Sequence, residues 1–365
     1  MGKQEESFYR GRKILVTGHT GFKGAWLCAV LHRFGAEVTG YALEPPTAPS
    51  LFELAGMGDR VHSVLGDIRD LDHLKEIFFQ VKPQIVIHMA AQPIVRESYR
   101  NPVDTYATNV MGTVNVLECV RLCDSVRSVL NVTTDKVYQN REWEWGYREN
   151  EELCGFDPYS NSKSCSELVT TSYRNSFFTD GRVAVSTARA GNVIGGGDFA
   201  ADRIIPDCVR AIEGQYAISL RNPGSIRPYQ HVLEAIGAYL LIVKRQFLDG
   251  SISGSYNVGP DEESCIRTLD LVQGFGRAWQ ELTGQQLLWE CPREYCQEQG
   301  FHEAGYLKLD NSKIRSRIGW KPRWGYEEML RKTAELTRVY LQEADVWAGM
   351  ERQIEAYFQG GFLRE

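Results

Sequence analysis

"KILVTGHTGFKG", residues 13–24, is an apolar run that gives way to three glycines. Residues 13–18 read as a short buried strand, and "GAWLCAVLHRFG" (24–35) carries apolar residues at helical spacing. Between them Gly18, Gly21 and Gly24 stand three residues apart. Glycine permits a tight turn and lets the backbone approach a pyrophosphate, which then rests on the free N–H groups that open the helix. A strand, a glycine turn and a helix in this order predict a nucleotide cradle over residues 18–24, with His19, Thr20 and Phe22 in the turn and Lys23 adding a cation.

The alternation continues outward. Strands are expected in "EVTGYAL" (37–43), "RVHSVLGD" (60–67), "PQIVIHMAAQ" (83–92), "SVLNVTT" (128–134) and "VAVSTARAGNVIG" (183–195). Helices are expected in "DLDHLKEIFFQV" (70–81), over 103–124 and in "YSNSKSCSELVTTSYRNSF" (159–177). The fourth strand lacks polar alternation, so both its faces are buried, as in a parallel sheet. The fold class is α/β, a Rossmann-type doubly wound parallel sheet. Beyond residue 191 the rhythm breaks into loop-rich sequence, and "LEAIGAYLLIVKRQ" (233–246) with "SGSYNVGP" (253–260) then restores one helix and one strand. The expected organisation is a nucleotide-binding unit of residues 1–190 and 231–258, with a smaller interleaved C-terminal substrate-binding region of residues 191–230 and 259–365.

Composition narrows the partners. The chain has 365 residues, 43% hydrophobic and 24% charged, with a net charge of -6, and offers no basic face for nucleic acid. Cys119 and Cys123 sit one helical turn apart, but no His/Cys set with zinc spacing accompanies them, so no metal is expected and the nine cysteines read as reduced thiols of a cytoplasmic protein. "MGKQEESFYRGRK" has no apolar signal core, and "AIGAYLLIV" (235–243) is too short to span a bilayer. His88 reads as a packed core histidine.

The chemistry gathers at two places. "SVLNVTTDKVYQN" (128–140) leaves its strand through Thr133 and Thr134, then sets an acid and a base, Asp135 and Lys136, side by side. Tyr159 and Lys163 form YxxxK at the start of a helix, and spacing of four residues puts both on one face. An ammonium about 4 Å from a phenolate contributes up to about 4 kcal/mol at an effective dielectric of 20. That is about three pKa units, enough to bring a phenol from about 10 to near 7, where it takes a proton from an alcohol. Tyr9 and Lys13 share the spacing, but they lie in the N-terminal segment before the first strand.

The glycine spacing and the YxxxK pair together resemble the extended short-chain dehydrogenase/reductase family. The resemblance implies NAD as cofactor, held by residues 18–24, by Asp67 and Ile68 of "LGDIRD" at the adenine, by Ala90, Ala91 and Gln92 of "HMAAQP", and by Asn109, Thr133, Tyr159 and Lys163. The family acid that ends the second strand is missing from "TGYALEPP"; Glu44 is the nearest, which leaves NADP open. Thr134 matches the family hydroxyl that bonds the reacting oxygen, with Thr133 as its neighbour.

"TTDKVY" is similar to the signature of nucleotide-sugar 4,6-dehydratases. Most of these carry Asp-Glu; Asp-Lys here, with "GHTGFKG", "PSLFE" and "RPYQHV", resembles their CDP-glucose branch. The implied reaction oxidises carbon 4, loses water across carbons 5 and 6, and returns hydride to carbon 6. Asp135 is then the acid toward the 6-hydroxyl, and Lys136 works at carbon 5 or supports the elimination. "RAGNVIGGGD" resembles the family's Arg-x-x-Asn-Val-Tyr-Gly, with Ile194 in place of Tyr. The implied substrate contacts are Gln92, Arg96, Asn192, Arg203, Arg227, His231 and Tyr306; His231 alternatively caps a turn, and Tyr306 alternatively packs. A 4-epimerase, a dehydratase for another nucleotide and a cofactor-sensing binding protein are the competing readings. Family members pair through a four-helix bundle, so a homodimer or homotetramer is expected, with Val116, Val120, Leu168 and Val169 facing the partner.

Overall fold

The first apolar run becomes β1 (Lys13–Thr17), an interior strand of a seven-stranded sheet. This computed structural model describes residues 7–291 and 305–359. In chain order the sheet adds β2 (Glu37–Ala42), β3 (His62–Leu65), β4 (Ile85–His88), β5 (Ser128–Thr134) and β6 (Ala184–Ala190). The chain then leaves it for β7 (Asn192–Ile194), β8 (Ile218–Ser219) and β9 (Ile226–His231), and returns with β10 (Ser255–Val258). Across the sheet the order is β3-β2-β1-β4-β5-β6-β10, and every pairing is parallel. The order reverses between β1 and β4, which opens a crevice at their carboxyl ends.

Alternation along each strand explains the two covering layers. Ile14 and Val16 of β1 join Ile85, Ile87, Leu130 and Val132 in one core, packed by α1 (Phe22–Arg33). Leu15 points the other way, with Val86, Val129 and Val185, into a core closed by α2 (Leu71–Val81) and α3 (Gly112–Leu122). On that second side lies α4 (Pro158–Phe177), which starts with Pro158 at its first position and Asp157 accepting from Ser160 N–H. A third core sits outside the sheet, between α5 (Ile204–Gly214) and α7 (Thr268–Thr283). The first core is completed by α6 (Val232–Leu248) and by the C-terminal helix over Val346–Phe358.

Three expectations need correction. The strand expected over 183–195 breaks at Gly191, because β7 pairs with β9 in a separate small sheet; a Cβ on Gly191 would lie 2.7 Å from the Pro228 carbonyl oxygen. The helix expected over 103–124 is interrupted by a π turn at Ala107–Met111, which carries the buried Asn109. Val116 and Val120 do not face a partner: they are 1% and 0% exposed inside the second core. Val169 packs against the same core, whereas Leu168, Val103 and Met111 stand 56%, 83% and 53% exposed.

The eight described cysteines are free thiols. Among the described residues no helix is long and apolar enough to cross a membrane, and no group of His, Cys, Asp or Glu is arranged to hold a metal.

Candidate active site

The cradle is built as its glycines require. Gly18 has φ +76°, and a Cβ there would lie 2.7 Å from Ala90 N; a Cβ on Gly24 would lie 2.1 Å from the Gly18 carbonyl oxygen. Strand, helix and the β4 turn are thus packed backbone to backbone. Gly21 precedes α1 with no side-chain cap, and the first turn of the helix holds no acid. Its N–H groups remain available to an anion, so these residues fit a dinucleotide pyrophosphate.

Around the cradle the roles divide. His19 turns its ring away from the turn: Nε2 meets Ser63 Oγ at 2.7 Å, the ring fills the space over Gly40, and burial pushes its pKa down to about 4. Thr20 donates to the Leu43 carbonyl at 2.9 Å, and Phe22 packs against the first core. Asp67 is held below its usual range by hydrogen bonds from Arg69, while Ile68 occupies the space a Cβ on Gly112 would take. Asn109 clamps the β4 loop, accepting from Gln92 N–H at 2.8 Å and donating to the Gln92 carbonyl and to Ser162. Ala90 and Ala91 are half-buried on that same loop. No acid ends β2; Glu44 stands exposed beyond it. His88 is a core residue, bonded to Thr17 at 2.7 Å and Thr113 at 3.2 Å.

Beside the carboxyl ends of β5 and β6 lies a cavity of about 300 Å³. Its lining includes Thr133, Thr134, Asp135, Lys136 and Tyr159 together with Asn192, Arg203, Arg227 and Arg96. The residues expected for alcohol chemistry and those expected for a diphosphate therefore face one space. Thr134 donates to Asp135 Oδ1 at 2.9 Å, and Tyr159 is hydrogen-bonded with Thr134. Burial raises the Asp135 carboxyl against the opposing charge of Lys136.

The tyrosine differs from expectation. Burial pushes Tyr159 up to about 12, and Lys163 does not offset it: its ammonium donates to the Val132 carbonyl at 3.2 Å, and burial with Lys23 nearby lowers it to about 8. Lys23 reaches into the cavity wall, where burial and Arg203 lower it to about 8.

Three expected substrate contacts lie elsewhere. His231 caps α6 by accepting from Leu233 N–H, and its ring packs between Trp26 and Trp324. Gln92 spends its amide on Thr105 and on Ile94 N–H. Tyr306 donates to the Glu144 carbonyl at 3.3 Å and pairs by its backbone with Ile226, beside the cavity-lining Arg227, without itself lining the cavity. Sequence reasoning missed Asp198, Asp202, Ser219 and Arg221, all in the wall. Asp202 lies between Arg221 at 3.2 Å and Arg96 at 3.8 Å, and Asp198 pairs with Arg203 at 3.0 Å. Asp198 closes the quoted "RAGNVIGGGD" and Asp202 stands next to Arg203, yet neither carries a signal of its own in the sequence.

A parallel doubly wound sheet, a glycine cradle and a Tyr/Lys pair beside a cavity are those of a Rossmann-type protein of the extended short-chain dehydrogenase/reductase kind. The family model described as GDP-mannose 4,6 dehydratase matches residues 15–333, and the chain belongs to that family. It is 45% identical over 97% of its length, and 98% of the other protein, to CDP-glucose 4,6-dehydratase of Salmonella typhimurium. It is 27% identical to a probable dTDP-glucose 4,6-dehydratase of Sinorhizobium fredii, over 97% of this chain and 99% of that one. Among solved structures, a UDP-glucose-4-epimerase of Stenotrophomonas maltophila with bound NAD and formylated UDP-arabinopyranose superimposes with TM-score 0.78 at 21% identity, covering 91% of this chain and 100% of that one. The dTDP-glucose 4,6-dehydratase of Bacillus anthracis in complex with NAD gives 0.72 at 20%, covering 93% and 100%; both likenesses concern the fold.

Proposed function

We propose that this protein converts CDP-D-glucose to CDP-4-keto-6-deoxy-D-glucose, a hydro-lyase reaction with NAD as cofactor. One observation carries the reading: a buried carboxyl, Asp135, with a raised pKa, faces the same cavity as Tyr159 and Thr134. A plain alcohol oxidation or a 4-epimerisation uses the tyrosine and the hydroxyl and has no task for a protonated acid. The 45% identity to a CDP-glucose 4,6-dehydratase over nearly the whole chain supports the choice of nucleotide.

NAD, held by the cradle of residues 18–24, would supply reversible hydride transfer, out of carbon 4 and back to carbon 6 of the sugar. Tyr159 takes the proton of the 4-hydroxyl, while Thr134 hydrogen-bonds that oxygen. The resulting 4-ketone acidifies the hydrogen on carbon 5. Lys136 removes that proton or stabilises the enolate, and Asp135 protonates the departing 6-hydroxyl, so the C6–O bond breaks and water leaves. A proton then returns to carbon 5, and with the hydride that the cofactor would return to carbon 6 the net change is loss of one water. Lys163 and the cradle of residues 18–24 hold the cofactor, with Asp67 and Ile68 at its adenine. Asn192, Arg203 and Arg227 hold the sugar and diphosphate, since a guanidinium pairs well with phosphate oxygens. In this reading residues 1–190 with 231–258 form the cofactor unit, and residues 191–230 with 259–365 the nucleotide-sugar unit. The acting form is a homodimer or homotetramer.

The test is direct. Purified protein is incubated with CDP-, dTDP-, UDP- and GDP-glucose. A 4-keto-6-deoxy product from the CDP sugar is expected, with no net consumption of NAD. Turnover of another nucleotide sugar in preference would overturn the choice of substrate, and epimerised product without water loss would overturn the reaction.

A further inference from the structure

Glu167 lies one helical turn beyond Lys163 on α4 and is 0% exposed. The two side chains grip adjacent residues of β5. Lys163 donates to the Val132 carbonyl at 3.2 Å, and Glu167 accepts from the Thr133 hydroxyl at 2.5 Å. Glu167 also accepts from Thr187 at 2.8 Å and from Arg189 at 2.8 Å, both on β6. Arg189 stands opposite Thr133 in the strand register and is itself buried. Its other nitrogen donates to the Tyr138 hydroxyl at 2.8 Å, and Tyr138 donates to Asn257 of β10 at 2.6 Å.

Thr133 and Tyr138 flank the turn that carries Thr134, Asp135 and Lys136. The Glu167–Arg189 ion pair therefore holds that turn from both ends, while Glu167 shares a helix face with Lys163. We propose that Glu167, through its pair with Arg189, is a positioning residue for the reaction: it fixes the dehydration turn and Lys163 relative to each other and supplies the negative charge that keeps Lys163 an ammonium. This rests on the reading of Tyr159 and Lys163 as the oxidising pair.

The electrostatics agree with the geometry. Burial and Lys23 of α1 lower Lys163, Glu167 acts in the opposite sense, and His88 of β4, the other titratable group facing it, is held neutral by burial. Burial alone would raise Glu167, but Arg189 and the hydroxyl hydrogen bonds hold it below its usual range. Arg174 of the same helix and Tyr138 are the remaining ionisable groups that sense it. A buried pair rarely adds net stability over an apolar replacement, so a positioning role accounts for what stability alone does not.

Glu167→Gln keeps the side-chain shape and removes the charge. If an ammonium is needed, activity falls as pH rises through the Lys163 pKa, and without Glu167 that fall comes earlier. The alkaline limb of kcat/KM is expected to move down by about one pH unit. Glu167→Asp should return it. Labelling of Lys163 by an amine reagent in the cofactor-free protein should begin at correspondingly lower pH. Because the single variant strands a buried guanidinium, Glu167→Gln with Arg189→Gln is made in parallel and should show the same displacement. An unmoved limb in either folded variant overturns the proposal, and so does failure of both to fold, which would make Glu167 a folding residue. Tyr159→Phe tests the underlying reading separately: an active Tyr159→Phe overturns that reading, whereas an inactive one beside an unmoved limb overturns only the role of Glu167.

Discussion

The Thr134 hydroxyl donates to Asp135 Oδ1 at 2.9 Å, while Oδ2 of the same carboxyl is buried with no hydrogen-bond partner among the described residues. A carboxylate left so would cost several kcal/mol of desolvation, and that burial is what raises the Asp135 pKa. Asp135 lines the cavity in which the leaving 6-hydroxyl of the proposed substrate would sit.

Asp135→Asn follows from that pair. The amide keeps the size and can still bond Thr134, but it has no proton to give. Oxidation at carbon 4 should survive, seen as a stable absorbance of reduced cofactor on mixing with substrate. Water loss should fall by about 10²–10⁴, the usual range for a general acid. Near-normal formation of the 4-keto-6-deoxy sugar by this variant would remove Asp135 from the elimination.

Glu234 governs a pH dependence of stability. It is 1% exposed at the start of α6, accepts from the Arg323 and Trp324 N–H groups and from the Tyr357 hydroxyl, and burial pushes it up to about 7. Its folded pKa lies above the unfolded value of 4.5, so the native state binds the extra proton. The contribution is therefore full below pH 4.5 and lost as pH rises through 7. About 3 kcal/mol should disappear between those limits. Urea midpoints at pH 5 and pH 8 should differ less in Glu234→Gln than in the parent; an equal difference would exclude Glu234 as the cause.

Leu168 and Phe177 on α4, with Leu122, Met111 and Val103 on the helical stretch over 103–122, are exposed apolar residues on the two helices proposed to pair, and their exposure in one protomer is large for such residues. Leu168→Glu should leave circular dichroism unchanged and convert a dimer to a monomer in sedimentation at micromolar concentration. A parent protein that is already monomeric there would defeat the expectation.

The fold was legible because its signals are local. Gly18 and Gly24 announce a backbone-to-backbone contact, and β4 announces a doubly buried strand by lacking polar alternation. The grouping of Thr134, Asp135, Lys136 and Tyr159 along the cavity was legible for the same reason, since each of the two motifs that supply them lies within five residues. The rest of the lining was legible only in part. Asp202 meets Arg96 across 106 positions of chain (202 − 96), and such a pairing leaves no pattern in either segment. His231 misled because the motif "RPYQHV" spans a boundary: Arg227 faces the cavity, and four residues later the chain has entered the N-cap of α6. Sequence spacing fixes that Tyr159 and Lys163 share a helix face, not which carbonyl the ammonium chooses. Lys163 takes that of Val132.

Lys136 carries the last prediction. It lines the cavity next to Asp135, and its charge is the largest influence that opposes the burial-raised pKa of that carboxyl. Lys136→Met removes both an amine and a charge, and the two losses have separate signatures. Without the amine, solvent hydrogen exchange at carbon 5 should fall by about 10²–10⁴ if the amine is the base. Without the charge, Asp135 keeps its proton to higher pH, so the alkaline limit of the elimination should move up, opposite to the movement expected for Glu167→Gln. Lys136→Glu supplies the commoner carboxylate and should recover part of the exchange. It also places a negative charge beside Asp135, which raises that carboxyl further and carries the alkaline limit higher still. Lys136→Met with near-normal exchange and a raised alkaline limit would assign Lys136 to charge stabilisation of the enolate and move the base elsewhere.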